Sequence, residues 1–299
     1  MYNGIVNIYK EAGFTSHDVV AKLRGILKQK KIGHTGTLDP DAVGVLPVCL
    51  GNATKLCDML TDKSKEYEAC MLLGVSTDTQ DISGTVLEER KVQVTEQQVR
   101  EAILGFIGAY DQIPPMYSAI KVNGKKLYEL AREGKEIERQ PRRVEISDIE
   151  ILSIKLPEVV FRVGCSKGTY IRTLCVDIGE KLGCLATMKS LKRTRVGSFR
   201  IEDALTLVEI EQLMADEKME AHIVSTDAVF MEYKSATIKP EHSKALANGN
   251  HLFLNQVTMD DLALNPGEMV RVYDENNHFT GVYCFEEQRL KPFKMFFDR

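Results

Sequence analysis

Gly33-His34-Thr35-Gly36-Thr37-Leu38-Asp39-Pro40-Asp41-Ala42-Val43-Gly44-Val45-Leu46-Pro47 presents one carboxylate, Asp39, inside a constrained loop. Gly33 and Gly36 permit a tight turn and close approach of a ligand to the backbone. Pro40 fixes its own φ and turns Asp39 away from the helical region. An Asp held this way suits the aiming of a nucleophile. A Gly-rich turn whose Asp only bonds its own backbone has the same local composition. The loop is not a phosphate-cradling P-loop, because no Gly-Lys-Ser/Thr follows it.

Upstream of the loop, Ser16 is read as the N-cap of a helix. Val19, Leu23, Ile26 and Leu27 keep helical spacing, and the helix is expected to end near Lys31. Thr95 with Gln98 makes a capping box for a second helix with Val99, Ile103, Phe106 and Ile107 on one face. Thr206 with Glu209 opens a third, burying Leu207, Ile210, Leu213 and Met214. Strand-like runs cover 5–9, 66–75, 146–154 and 159–165. In the second of these, Tyr67, Ala69, Met71 and Leu73 alternate with Glu66, Glu68 and Cys70. Strands outnumber helices without alternating one-to-one with them. The expected fold is therefore α+β, a mixed, largely antiparallel sheet flanked by helices.

The 299 residues allow one large domain plus a small one, each with a core. A hydrophobic content of 43% and a charged content of 27% place the chain among soluble globular proteins. Apolar stretches break well before the ~18 residues a membrane span needs. The opening Met-Tyr-Asn-Gly-Ile-Val-Asn lacks a leader pattern. Seven scattered cysteines without a C-x-x-C pair fit a reducing, cytoplasmic setting rather than disulfides or zinc. Neither a metal nor a cofactor is implied.

A net charge of −4 argues against nucleic acid until its distribution is considered. Residues 181–200 hold Lys181, Lys189, Lys192, Arg193, Arg195 and Arg200 and no acid. Residues 19–31 add Lys22, Arg24, Lys28, Lys30 and Lys31, again without an acid. Two such clusters around the candidate loop would concentrate a polyanion, although charge runs also occur on plain solvated faces. Residues 112–145 carry eight cations against five glutamates, with a short helix expected at 127–132 and Gly134 as its C-cap. This basic excursion is either an idle insertion or a lid for a large anionic ligand.

The run G-H-T-G-T-L-D-P-x-A-x-G-x-L-P resembles the signature of the TruB family of tRNA pseudouridine synthases. Further matches follow in order: Lys65-Glu66-Tyr67-Glu68 with Leu73-Gly74 and Thr77-Asp78-Thr79; Gln112-Ile113-Pro114-Pro115-Met116-Tyr117-Ser118-Ala119; Gly168-Thr169-Tyr170-Ile171-Arg172-Thr173-Leu174; and Leu191-Lys192-Arg193-Thr194-Arg195-Val196-Gly197. The resemblance covers about the first 230 residues. It implies a cofactor-free isomerase that converts the T-loop uridine of tRNA, position 55 in standard tRNA numbering, to pseudouridine.

The resemblance also implies roles. Asp39 is the catalytic carboxylate, adding to ribose C1′ or removing the 2′ proton. Arg172 lies against it; if 168–173 were a strand, Tyr170 and Arg172 would face the same side. Such a pair would lower the acid's pKa by roughly 1–3 units. Without the resemblance, Arg172 reads as a surface ion pair. Tyr67 would stack on the extruded base and serve as a C5 proton acceptor, though an aromatic in an alternating strand is commonly plain core. Tyr170 and Leu191 would line the uracil pocket. His34 would touch the RNA, or merely cap its turn. Lys10 and Lys55 would sit at phosphates. The 112–145 segment would be a flap closing over the tRNA arm.

Beyond about residue 232, Gly267-Glu268-Met269-Val270-Arg271-Val272 and the later Gly281-Val282 are similar to a PUA-type RNA-binding barrel. The expected division is thus 1–232, catalytic, and 233–299, a small β-barrel. The segment 290–297 could be a closing strand. The expected partner is the tRNA T-stem-loop, with no obligatory protein partner and a monomeric state. Two other readings remain: a tRNA-folding chaperone, and a guide-RNA-dependent relative within a ribonucleoprotein. The latter usually has basic tails and lacks the long flap.

Overall fold

The computed structural model describes residues 1–122, 124–259, 261 and 263–297. Along the chain, β1 (Gly4–Lys10) leads to α1 (Ser16–Ile26), β2 (Ile32–His34), the Asp39 loop and β3 (Val43–Leu50). A short α2 (Cys57–Thr61) precedes β4 (Lys65–Leu73), a hairpin of β5 (Val75–Thr77) and β6 (Val86–Glu89), α3 (Glu96–Leu104) and β7 (Gly108–Gln112). The basic excursion carries β8 (Lys121–Val122), β9 (Lys125–Lys126) and α4 (Leu127–Arg132). Then come β10 (Arg142–Lys155), β11 (Glu158–Cys165), α5 (Ile171–Leu182), β12 (Ala186–Val196), β13 (Phe199–Arg200) and α6 (Leu207–Ala215). The C-terminal part holds β14 (Lys234–Ile238), α7 (Ser243–Ala247), β15 (Leu252–Phe253), β16 (Val257–Thr258), β17 (Met269–Tyr273), β18 (Phe279–Glu286) and β19 (Arg289–Met295).

Among the described residues the main sheet runs β1-β3-β12-β4-β11-β10-β7, with β2 on β3 and β13 on β12. Every pairing is antiparallel except β3 with β12, so the mixed, largely antiparallel sheet expected from the sequence is present. One face of β4 and β11 supplies Tyr67, Ala69, Met71, Phe161 and Val163 to a core closed by Leu174 and Ile178 of α5 and Val99 and Ile103 of α3. A second core joins Val19 and Leu23 of α1 and Ile210 of α6 to Val6, Ile8, Leu46 and Val48. The C-terminal strands form a barrel-like sheet in the order β15-β19-β18-β17-β14-β16.

Several expectations are corrected. The N-cap of α1 is Thr15, not Ser16, because Asp18 stands three residues after Thr15 and completes the capping box with it. The same helix ends at Ile26, short of Lys31. The second helix stops at Leu104, leaving Phe106 and Ile107 beyond its last turn. The strand expected over 66–75 breaks at Gly74, whose φ of +89° and contact with the Arg90 carbonyl exclude a side chain. Residues 171–182 form α5 rather than a strand. The segment at 289–295 is an interior strand between β15 and β18, not an end that closes a barrel.

Candidate active site

The Asp39 loop is held on several sides by buried side chains that take its main-chain groups. Arg193 of β12 donates from Nη2 to Gly36 O (3.3 Å), from Nη1 to Thr37 O (3.4 Å) and from Nε to Val45 O (2.7 Å). Ser16, in the first turn of α1, accepts from Leu38 N at 3.0 Å. Lys10 at the end of β1 donates to Pro40 O (2.9 Å) and Ala42 O (2.6 Å). The Asp39 carbonyl itself accepts from Ala42 N. A loop with its carbonyls occupied this way has little freedom left, so the carboxylate direction is fixed by the fold.

Arg172 reaches that carboxylate from the first turn of α5, with Nε 3.2 Å from Asp39 Oδ2 and Nη2 3.4 Å from Oδ1. The guanidinium is shared. Nη1 also donates to Thr79 O (3.0 Å) and faces Asp81 Oδ2 (3.4 Å), and Nη2 donates to Tyr117 O (2.9 Å). The Asp39 side chain keeps 40% of its surface open to solvent, while Arg172 is buried. The sequence suggested that the pair would depress the Asp39 pKa. It lies above the ordinary carboxylate value instead: burial raises it, Asp81 and Asp41 add repulsion, and Arg172 and Lys10 only partly oppose them.

Tyr67 of β4 is buried in the same core cluster as Leu38 and Ala42 of this loop. Burial pushes its phenol pKa up, against the pull of the nearby Arg193 guanidinium charge. Tyr170, the N-cap of α5, is half-buried, and burial raises its phenol as well. Gln112 at the end of β7 locks Tyr170 in place, accepting from its N–H (2.7 Å) and donating to its carbonyl (3.1 Å). The Asp39 charge acts on both phenols. His34 lies edge-on to His17, ring centroids 5.0 Å apart, and is held below the ordinary imidazole value by burial, then by His17 and Arg193. Leu191 of β12 packs against the core that contains Tyr67. A cleft of about 300 Å³ opens alongside, lined by Asp41, Val43, Glu68, Cys70, Leu191 and Lys192; it adjoins the Asp39–Arg172 pair rather than containing it.

Two expected phosphate ligands are occupied otherwise. Lys10 has no exposed surface and bonds three carbonyls, so it is an internal strut of the loop; burial pulls its pKa down to about 8. Lys55 donates to Met295 O (2.9 Å) and Phe297 O (3.4 Å), tying the first part of the chain to the last strand. Two of the six cations at 181–200 are paired, Lys189 with Glu158 and Lys192 with Glu68, while Arg193 is buried, Lys181 lies over the Phe106 ring and Arg195 donates to Ser64 Oγ and Gly197 O. The cations around α1 differ: Lys22, Arg24, Lys28 and Lys30 are exposed and have no carboxylate partner among the described residues. In the 112–145 segment, Glu133 holds Lys125 and Lys135, Glu136 holds Arg139, and Asp111 of β7 reaches Arg143.

Sequence reasoning missed four contributors: Asp81, Gln112, Ser16 and the buried role of Arg193. Asp81 follows the quoted Thr77-Asp78-Thr79 closely, and Gln112 opens a quoted motif, so both were within sight. Ser16 was spent on a capping role, and Arg193 on surface charge. Among the described residues no cluster of three His, Cys, Asp or Glu side chains is placed to hold a metal ion, and no helix is long and apolar enough to cross a membrane.

Comparison with known proteins adds to this geometry. A profile described as TruB family pseudouridylate synthase (N terminal domain) matches residues 24–171, and one described as tRNA pseudouridylate synthase B C-terminal domain matches residues 172–232. The tRNA pseudouridine synthase B of Lachnoclostridium phytofermentans is 55% identical over 98% of this chain and 99% of its own length. That of Alkaliphilus oremlandii is 50% identical over 98% and 97%. Among solved structures, a chain of an H/ACA RNP bound to a substrate RNA containing 2′-deoxyuridine superposes with a TM-score of 0.74 at 27% identity, covering 99% of this chain and 86% of that one. A chain of a Cbf5-Nop10-Gar1 complex gives 0.75 at 28%, covering 99% and 85%.

Proposed function

The chain belongs to the TruB family of pseudouridylate synthases and pseudouridylates tRNA; from that premise we propose where it acts and by what steps. The target is the T-loop uridine at position 55. The uridine is flipped out of its folded loop, at an unstacking cost of a few kcal/mol that protein contacts offset. Asp39 then acts as nucleophile at ribose C1′ as the C1′–N1 bond breaks. The positive charge that builds on the sugar makes a carboxylate its natural partner. The freed uracil turns between Tyr67, Tyr170 and Leu191, and C5 bonds to C1′ as the bond from C1′ to the Asp39 oxygen breaks and the carboxylate is released. C5 loses a proton and N1 gains one from water, so none is taken up overall. The Tyr67 phenol, too weakly acidic to stand ionised at neutral pH, relays the C5 proton to solvent by giving up its own hydroxyl proton as it accepts, and serves first as a stacking surface.

The observation that carries this reading is the Arg172–Asp39 pair at 3.2 Å, with the carboxylate loop immobilised by Arg193, Ser16 and Lys10. We assign residues 1–232 to catalysis, with 112–145 as the closing flap, and 233–299 to RNA docking. The protein works as a cytoplasmic monomer without an obligatory protein partner. The exposed cations of α1, rather than those of β12, face the phosphates.

The test incubates the purified protein with an unmodified tRNA transcript and nothing else, followed by mapping of pseudouridine. Modification at position 55 is expected, and Asp39→Asn should bind tRNA yet lose turnover by roughly 10³-fold or more in tritium release. An active Asp39→Asn enzyme removes Asp39 from its role. A transcript left unmodified until a guide RNA is supplied would favour the ribonucleoprotein reading, and full biological rescue by Asp39→Asn the chaperone.

A further inference from the structure

Four charged side chains are buried among the described residues, and all are cations: Lys10, Lys65, Arg172 and Arg193. Three have a ready physical account. Arg172 faces Asp39 and Asp81. Lys10 and Lys65 donate all round to carbonyl oxygens, and burial brings each down to about 8. Arg193 cannot deprotonate, is 1% exposed, and has no carboxylate partner among the described residues. A buried unpaired guanidinium is costly to the fold, which makes its surroundings informative.

Those surroundings are three pieces of the active site. Arg193 lies directly across from Tyr67 in the β12–β4 register, so both side chains project from the same place on the sheet, and its guanidinium charge acts on the Tyr67 phenol. Its donors take Gly36 O and Thr37 O at the entrance to the Asp39 loop, and Val45 O at its exit. Backbone packing holds it there: a Cβ on Gly44, its partner across β3, would come within 2.2 Å of the Arg193 carbonyl. One planar fork therefore touches the strand that carries Tyr67 and both ends of the loop that carries Asp39. A lysine, with a compact point charge, could not span all of them.

We propose that Arg193 is a positioning residue that sets the Tyr67 phenol oxygen and the Asp39 carboxylate at a fixed separation, so that glycosidic cleavage at C1′ and proton loss at C5 occur on one immobilised nucleoside. The inference rests on the roles assigned to Asp39 and Tyr67 above. It requires that Arg193 act through those two groups, without touching the RNA.

The test is single-turnover tritium release from tRNA labelled at uridine C5, with tRNA affinity and thermal melting measured on the same preparations. Arg193→Lys should lower the single-turnover rate constant at saturation about 10²-fold while the half-saturating concentration and Kd stay within about threefold. In a double-mutant cycle, Arg193→Lys should cost at least fivefold less in a Tyr67→Phe background than in the wild type, because the phenol it positions is already gone. Additive losses, full activity in Arg193→Lys, or a loss confined to affinity would overturn the proposal. A second measurement leaves Arg193 untouched, in case its replacement fails to fold. Tyr67→Phe keeps the packed ring, and hydrogen exchange at residues 36–38 should quicken in it; unchanged exchange there also overturns the proposal. If instead the wild type forms no pseudouridine, or Asp39→Asn remains active, the functional reading has failed, independently of Arg193.

Discussion

At Asp39, the nucleophilic role proposed for it and the stability of the fold pull in opposite directions. Burial and the neighbouring Asp81 and Asp41 raise its pKa above the free value, and Arg172 recovers only part because its guanidinium also serves Asp81, Thr79 O and Tyr117 O. A carboxyl whose folded pKa exceeds its unfolded one binds its proton more tightly in the folded state. Its ionisation therefore costs stability at neutral pH, and the cost disappears as pH falls below the unfolded value near 4. Asn resembles the protonated acid in shape and carries no charge. Asp39→Asn should accordingly melt above the wild type at pH 7, by an amount on the order of 1 °C given the carboxylate's partial exposure. The difference should close as the pH is lowered toward 4. A variant that melts lower at pH 7, with a gap that widens on alkalinisation, would show the Arg172 pair to be net stabilising and would contradict the burial argument. The identity of this residue was legible from the glycine–proline pattern around it. Its electrostatics were not, because Asp81 lies 42 positions along the chain and only the α5 scaffold brings Arg172 between the two carboxylates.

Elements that alternate openly were readable, and elements whose partners lie far along the chain were not. The β4 pattern stood out because one face is core and the other carries Glu66 and Glu68. No strand was read at β3, a nearly continuous apolar run buried on both faces that shows no alternation. Neither was one read at β12, where Lys189 and Lys192 look like a nucleic-acid patch until Glu158 and Glu68 arrive from neighbouring strands. Helix α5 has no side-chain cap and starts Tyr-Ile-Arg-Thr, a strand-like opening, so sequence placed Arg172 on the wrong element. The one parallel pairing of the main sheet among the described residues, β3 with β12, is the least visible and the most demanding. Gly44 sits there at φ +105°, and a Cβ would strike the Arg193 main chain, which cannot move without breaking the ladder. Gly44→Ala should therefore destabilise the protein by more than about 2 kcal/mol in chemical denaturation. It should also slow turnover beyond what the lost folded fraction explains, since β12 carries Arg193. Wild-type stability in that variant would mean that β3 and β12 can part without consequence.

At the scale of the whole molecule, the sequence suggested a catalytic body with a separable C-terminal barrel, and the packing bears on how separable it is. One hydrophobic core takes Ile5, Val45, Leu56, Phe199 and Phe230 from the first part of the chain and Val282 and Phe296 from the C-terminal sheet. Phe230, Phe279 and Phe296 pack ring against ring across that junction, and Lys55 donates to the carbonyls on either side of Phe296. Val45 belongs to the strand that follows the Asp39 loop, so the junction touches the scaffold of the proposed active site. Removing residues 235–299 would strip this core along with any RNA contacts, and a loss of activity in such a truncation would be ambiguous. Phe296→Ala is the cleaner probe. Deleting a buried aromatic ring should cost about 3–5 kcal/mol. If the core is truly shared, the wild type should unfold in one calorimetric transition, and Phe296→Ala should lower that whole transition. Below its melting point, the variant should retain single-turnover chemistry on bound tRNA while binding more weakly, because the loop anchors Ser16 and Lys10 lie outside the junction and Arg193 meets it only at the Val45 carbonyl. Two transitions in the wild type, with the substitution moving only one, would show the C-terminal sheet to be an independent unit and return the truncation to use as a test of RNA docking.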